Sequence, residues 1–289
     1  MSYLPRSKVR ARQIGDSDVD GVVALLANGF QLRDRKYWQC ALAALKDHPT
    51  PSGFPKYGYM LECDGAPVGV ILLIFSSIPS NGSTMIRCNV SSWYVEPAFR
   101  SQASMLIAHA IKHKNVTYVN VSPAMHTRPI IEAQGFSRYS SGQFVTAPLL
   151  GQAHRGADVV EVGAEPDATD DSAERELLLQ HKRRGCLGLW CVDGGRAYPF
   201  VFMPRRVKGI IPCVQLIYCR DIADFVRLAR PLGRELMYRG KPLVIIDSNG
   251  PIPGLFGRYV DGKSPKYFKG PNCPTLGDLA FTESVMFGL

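Results

Sequence analysis

The chain has 289 residues and a mass of 31.9 kDa, about two average domains' worth, so two hydrophobic cores are expected. Its 46% hydrophobic and 20% charged residues, with 27 Gly and 21 Pro, exclude disordered, collagenous and coiled-coil classes. The longest apolar run, VGVILLIF at 68–75, is far shorter than the roughly 20 residues of a membrane-spanning helix, and no signal-like stretch opens the sequence. A cytoplasmic protein without membrane attachment is predicted.

The net charge of +9 points to an anionic partner, but its distribution matters more. Residues 1–150 hold 15 Lys+Arg against 9 Asp+Glu, residues 158–176 hold one against eight, and residues 177–289 hold 17 against eight. Two basic bodies flank an acidic segment, read here as a linker over 151–171 between domains 1–150 and 172–289. The eight cysteines include no Cys-x-x-Cys pair and no accompanying His motif, so buried thiols are expected rather than disulfides or a metal site.

In chain order, a short strand at 9–14 leads into a helix capped by Asp16 or Ser17, with Val19, Val22, Val23, Leu25 and Leu26 on its apolar face. A second helix through Tyr37, Trp38, Ala41, Leu42 and Leu45 stops at Pro49. Strands at 58–63 and 67–75 flank the turn Asp64-Gly65 and form a hairpin. A strand ending at Tyr94-Val95, a loop at 96–100, a helix over 102–112 and a strand at 116–121 follow in β-α-β order. A helix through 129–132 then ends at Gly135, and a strand lies near 143–147.

The second half repeats this order. A helix at 172–184 precedes strands at 187–192 and 197–203 about Gly194-Gly195, a strand at 214–219, a helix at 221–238 and a strand at 242–246. Two copies of one fold are more economical than two unrelated domains.

The stretch that carries chemistry runs from Ser91-Ser92-Trp93-Tyr94-Val95 through Glu96-Pro97 and Arg100-Ser101-Gln102-Ala103-Ser104-Met105. A strand end, a tight loop and a helix start meet there, and unpaired amides at a helix start, with the dipole behind them, suit a pyrophosphate. Val95-x-Pro97 with Arg100-Ser101-Gln102, followed downstream by Gln134-Gly135-Phe136, resembles the GNAT acyltransferases over most of residues 9–147.

The resemblance implies an α/β (α+β) fold of two tandem GNAT-like domains, each a mixed central sheet flanked by helices. It also implies an acyl-CoA co-substrate, acetyl-CoA being the simplest, and no metal. The coenzyme would be held by Tyr94, Val95, Arg100, Ser101, Gln102, Ala103, Ser104 and Met105. Ala103 and Met105 stand where the family's loop has glycines, Ile131 where relatives have a general-acid tyrosine, and Asn89 where some have a strand glutamate. Neither Ile131 nor Asn89 can move a proton.

Three candidates remain for the chemistry. Glu96 is placed to act as a base for an acceptor amine or to be a solvated loop carboxylate. Ser92, or its neighbour Ser91, is placed to hydrogen-bond substrate or thioester, and His126 to shuttle a proton or to cap a helix.

The second copy has Arg220-Asp221-Ile222-Ala223-Asp224 after its strand, two carboxylates where a phosphate would sit, and is expected not to bind coenzyme A. It would shape the site for a small-molecule acyl acceptor, an amine or hydroxyl on a sugar or an aminoacyl group. Residues 257–270 read as a basic, aromatic loop: a clamp for an anionic substrate, a stacking surface for single-stranded nucleic acid, or an ordinary solvated loop. Residues 247–250 read as a turn. The expected activity is acyl transfer. The alternatives are a non-catalytic acyl-CoA or nucleotide binder, suggested by the four substituted family positions, and a nucleic-acid-binding protein, suggested by the charge.

Overall fold

A computed structural model describes residues 8–80, 83–163, 172–207 and 209–288. The chain divides into two compact units. The first takes residues up to Asn120, Lys269–Asn272 and the segment from Thr282 onward, and the second takes Val121–Phe268 and Cys273–Phe281.

The first unit is built on strands β1 (Val9–Gln13), β2 (Gly58–Cys63), β3 (Ala66–Ser80), β4 (Ser83–Val95) and β5 (Thr117–Asn120), in spatial order β1-β2-β3-β4-β5. All neighbours are antiparallel except β4 and β5, which run parallel. The β2–β3 hairpin turns at Asp64 and Gly65, both at positive φ (50° and 85°), the conformation that Asp-Gly adopts most readily.

Helices α1 (Val19–Gly29) and α2 (Arg35–Asp47) cover one face of this sheet. The Asp34 side chain accepts a hydrogen bond from the Tyr37 amide at 2.8 Å and starts α2. Their apolar faces pack with Met60, Val70, Leu72 and Ile74 around the buried Trp38. Helix α3 (Ala103–Ala110) lies on the opposite face, where the His109 ring is 5.5 Å from that of Tyr59.

The second unit has strand β6 (Ser137–Thr146) after the short helix α4 (Arg128–Ala133), then β7 (Asp158–Glu161), helix α5 (Ser172–Arg183), and strands β8 (Leu187–Asp193), β9 (Arg196–Val207) and β10 (Ile211–Cys219). Helices α6 (Ile222–Arg227) and α7 (Ala229–Tyr238) and strands β11 (Leu243–Ser248) and β12 (Gly257–Lys269) complete it. The strand order is β12-β6-β11-β10-β9-β8-β7, and only β10 and β11 are parallel. Leu189, Phe200, Phe202, Val214, Leu216, Val244 and Ile246 pack beneath Phe225, Leu232 and Leu236 of α6 and α7.

Four expectations are revised. The single helix expected at 221–238 is two, because Pro231 has no amide to give and its ring crowds the carbonyl of residue 227, so the ladder breaks at Leu228. Within the expected linker 151–171, Asp158–Glu161 is the edge strand β7, paired with β8, and residues 164–171 lie outside the described residues. The expected loop at 257–270 is mostly strand β12, interrupted where Gly262 and Ser264 turn to positive φ and the register with β6 slips. Residues 247–250 do more than turn: Asp247 is buried, and Asn249 accepts from the Ser141 amide at 2.7 Å and donates to the Tyr139 carbonyl at 2.9 Å.

Six cysteines are buried and reduced, with Cys40 and Cys273 exposed. Burial pushes the thiols of Cys186 and Cys191 up to about 12. Among the described residues no helix is long and apolar enough to cross a membrane, and no cluster of three metal-ligating side chains occurs.

Candidate functional site

Near its end β4 carries one residue more than β3. Leu72 pairs with Ser91 and Val70 with Tyr94, so one β3 residue is spanned by two, Ser92 and Trp93. Ser92 takes up the excess at φ 44°, a conformation that costs a non-glycine residue about 1–3 kcal/mol and persists only where neighbours hold it. On the other side of β4, the parallel pairing with β5 stops at Asn89↔Val119. No β5 residue pairs with residues 91–95, so the sheet opens along the bulged end of β4.

Residues opposite one another in an antiparallel pair share a face, so Asn89 and Ser91, opposite Ile74 and Leu72, point into the α1/α2 layer. A segment from far along the chain meets them there. Helix α8 (Glu283–Met286) starts with the Glu283 amide donating to Asn89 Oδ1 at 2.6 Å, while Asn89 Nδ2 donates to the carbonyls of Val90 (3.0 Å) and Val119 (3.3 Å).

The Ser91 hydroxyl donates to the Glu283 carboxylate, and the Oγ atoms of Ser91 and Ser92 lie 3.0 Å apart. Glu283 is 3% exposed and Ser91 4%, whereas Ser92 is only half-buried. Met286 and Phe287 follow into the α1/α2 core. The Tyr94 ring packs over the end of α1, where a Cβ on Gly29 would lie 2.5 Å from ring carbons, and beside Phe30.

No family model and no curated protein matches the chain in sequence. Solved structures match it in fold. A Pyrococcus horikoshii protein assigned to the acetyltransferases superposes with a TM-score of 0.55 at 13% identity, covering 97% of this chain and 96% of its own. A GCN5-related N-acetyltransferase from Anabaena variabilis gives 0.58 at 11% identity, covering 91% of this chain and 72% of its own. One from Kribbella flavida gives 0.56 at 14%, over 91% and 71%. The chain has the GNAT fold.

Within this GNAT fold, the residues expected to hold coenzyme A sit along the open end of β4 and beyond it. Val95 is buried opposite Gly69, and Tyr94 is half-buried. The expected open loop is instead a 3-10 turn, Pro97–Gln102, led by Glu96. This turn uses the Phe99 amide on the Glu96 carbonyl at 2.9 Å and the Ala103 amide on the Arg100 carbonyl. Helix α3 follows this turn directly, with Ser104 and Met105 in its first turn.

Arg100 and Ser101 are exposed, and Arg100 forms no ion pair among the described residues. Gln102, Ala103 and Met105 are half-buried, and Ser104 is exposed. Of the three catalytic candidates, only Ser92 belongs to the hydrogen-bonded group around the bulge. Glu96 is half-buried and caps the 3-10 turn, and its own amide donates to the Val68 carbonyl at 2.9 Å. His126 lies exposed on a 3-10 turn, Met125–Thr127, of the second unit. Sequence reading missed Glu283, whose partners are 192 and 194 residues away.

The second unit carries the same bulge. Leu216 pairs with Phe202 but Tyr218 with Val201, so β10 gains a residue just before its end, and its parallel pairing with β11 stops at Gln215↔Ile245. Beyond that end, a cavity of about 410 Å³ opens among Gln152, His154, Ile222, Val226, Arg227 and Ile252. Arg227 is bonded to Asp193 and lies 3.5 Å from Asp224, with its guanidinium 4.6 Å over the Tyr198 ring, and His154 Nε2 is 2.9 Å from Asp193. The hydrogen bond from His154, with a second from Arg227, holds the Asp193 carboxyl below its usual range. The guanidinium is already balanced by two carboxylates, leaving little positive charge for a phosphate.

In β12, Tyr267 is buried and donates to Glu132 at 2.9 Å, and Tyr259 donates to Asp261 at 2.9 Å. The Tyr267 phenol is thus committed within its own unit, whereas the Tyr259–Asp261 pair lies at the surface.

Proposed function

We propose that the first unit is an acyltransferase that moves an acyl group, acetyl in the simplest case, from acyl-CoA to an amine or hydroxyl of a small-molecule acceptor. One observation carries this reading: β4 is bulged at Ser92 and unpaired by β5 beyond Asn89, immediately before a turn and helix that present exposed Arg100. The free edge at residues 91–95 offers backbone amides and carbonyls to an extended pantetheine arm, which would lie along it as a strand lies along a sheet edge. Arg100 and the first amides of α3 would meet the phosphates. An amide donor at the bulge would face the oxygen of the thioester carbonyl, where negative charge builds during transfer. The second unit, with a bulge before the end of β10 and Arg227 held by Asp193 and Asp224, is read as a degenerate copy that does not bind coenzyme A.

A non-catalytic acyl-CoA binder is the competing reading, favoured by Asn89 and by Ile131, which is 3% exposed and buried in packing. Titration calorimetry with coenzyme A and acetyl-CoA, followed by release of free thiol with primary amines and amino sugars, tests both. Binding with thiol release supports the transferase, binding without release supports the alternative, and no binding refutes both.

A further inference from the structure

We propose that Ser92, Ser91 and Glu283 form a proton relay that carries the proton of the acceptor nitrogen from the bulge of β4 into a buried carboxylate. This rests on the acyltransferase reading and assigns that reaction its proton acceptor, with a primary amine as the class of acceptor.

The direction of the relay follows from proton counting. Each serine hydroxyl has one proton to donate. Ser91 gives its proton to the Glu283 carboxylate, so in the 3.0 Å contact between the two serines Ser92 must be the donor. The Ser92 oxygen then keeps its acceptor capacity for a hydrogen on the incoming nitrogen. Ser92 is also the residue whose backbone is forced to φ 44°, and it is the most accessible of the three. The chain of hydroxyls thus runs inward, from a half-buried position on the opened strand to a carboxylate that is 3% exposed.

Glu283 is held from two sides. Its amide is fixed by Asn89, itself anchored across β4 and β5, and the residues behind it, Val285, Met286 and Phe287, are buried. Asn89 has no proton to give or take near neutral pH, so on this face of β4 the titratable oxygens come from the distant segment. Charged and titratable groups on this face include Tyr37 on α2, which feels the Glu283 charge and has Arg33 at 4.5 Å over its ring, and buried Arg87, which alternates onto the same side of β4 as Asn89 and Ser91. Burial raises the Tyr37 phenol above its usual value and the Glu283 charge adds to that, while Arg33 opposes it. Tyr37 therefore stays protonated and does not compete as a base.

In the reaction, the neutral amine nitrogen bonds to the acyl carbon and the carbon–sulfur bond breaks, its electron pair leaving with sulfur. The excess proton on nitrogen passes to Ser92 Oγ as the Ser92 proton moves to Ser91 and that of Ser91 to Glu283. The proton released from Glu283 afterwards restores the thiol, so the products are an amide and a free thiol with no net proton lost.

The test uses the full chain and two variants, Glu283→Gln and Ser91→Ala, the second of which leaves the Asn89–Glu283 bond in place should the first fail to fold. Acetyl-CoA affinity is expected within about twofold of wild type in both. The turnover number for primary amines should fall by about 100-fold or more with KM for the amine nearly unchanged, as expected for loss of a general base. Infrared difference spectra taken across the pH range in which the fold is intact supply a readout independent of turnover. The carboxylic-acid stretch that appears in wild type as Glu283 takes up a proton should be missing from the Glu283→Gln spectra, where the bands of the other carboxyls remain, and shifted in Ser91→Ala.

Turnover within about threefold of wild type in either folded variant overturns the relay, as does acetyl-CoA binding with no thiol release to water or any amine. Failure of wild type to bind acetyl-CoA instead overturns the acyltransferase reading, and the infrared shift then decides separately whether Ser91 bonds Glu283.

Discussion

Replacing Phe287 with Ala tests whether the distant segment is seated in the first unit. Helix α8 has four residues, too few to hold together by its own hydrogen bonds, so its place depends on side chains: Val285 is 4% exposed, Met286 5% and Phe287 8%. Burying a phenylalanine and then truncating it costs about 3–5 kcal/mol in a rigid core. The lower part of that range applies here, because Gly288, next in the chain, is exposed and lets the backbone settle into part of the space left. About 3 kcal/mol is a large share of the roughly 5–15 kcal/mol that stabilises a domain.

Trp38 is 3% exposed in the same cluster and reports on it, so urea unfolding followed by fluorescence, in a Trp190→Phe background that silences the second unit's buried indole, gives the value directly. A loss below about 1 kcal/mol would refute the docking of this segment, and with it the placement of Glu283 beside Ser91.

Arg100→Ala should weaken coenzyme A binding by roughly 1.5–3 kcal/mol, the range for a charge-assisted hydrogen bond, and leave binding of phosphate-free pantetheine unchanged; calorimetry with both ligands checks it. Met105→Gly should tighten coenzyme A binding by opening the approach to the α3 amides while costing up to about 1 kcal/mol of stability, and a loss of stability with no gain in affinity would favour the non-catalytic reading. Hydrogen bonds from Arg12 hold the carboxyls of Asp18 and Glu62 below their usual range, at 2.6 Å and 2.5 Å. Their contribution is complete above the ordinary carboxylate values near about pH 4 and is lost as pH falls through the lower folded values. Arg12→Ala should therefore flatten the acid limb of a stability–pH curve and leave its neutral region with the smaller slope it already has. Gly58→Ala should destabilise strongly, because its φ is 127° and a Cβ would lie 2.2 Å from the Ile71 carbonyl oxygen; thermal unfolding measures it.

Local rules carried much of the fold. The Asp64-Gly65 and Gly194-Gly195 turns marked both hairpins, and Gly135, at φ 85°, ends α4 as its position suggested. What escaped was non-local. Strand β7 is an edge strand in acidic text, with only one neighbour to declare it. Strand β12 is masked by lysines, by Gly262 and by Ser264, and its strand character comes from non-local pairing, with β6 among its partners. Ser92 was legible because it sits beside the strand end that the motif marks. Glu283 was not: a lone glutamate in ordinary apolar text gives no sign of a partner 192 residues earlier. The bulge itself has no sequence signature, since neither Ser92 nor Trp93 is a residue that favours positive φ.

The first unit is interrupted by the second, which has a consequence for how the protein is made. By the time Asn120 emerges, the α1/α2 layer and the bulged strand exist, yet the residues that complete them come only from Thr282 onward. At synthesis rates of about 5–20 residues per second, that leaves roughly ten to thirty seconds in which Ser91 and Asn89 lack their partner and the core around Trp38 is short of Met286 and Phe287. The second unit has all its strands before then. Nascent chains should therefore pass through a stage with one finished unit and one waiting, and the waiting one is where a chaperone would be expected to bind.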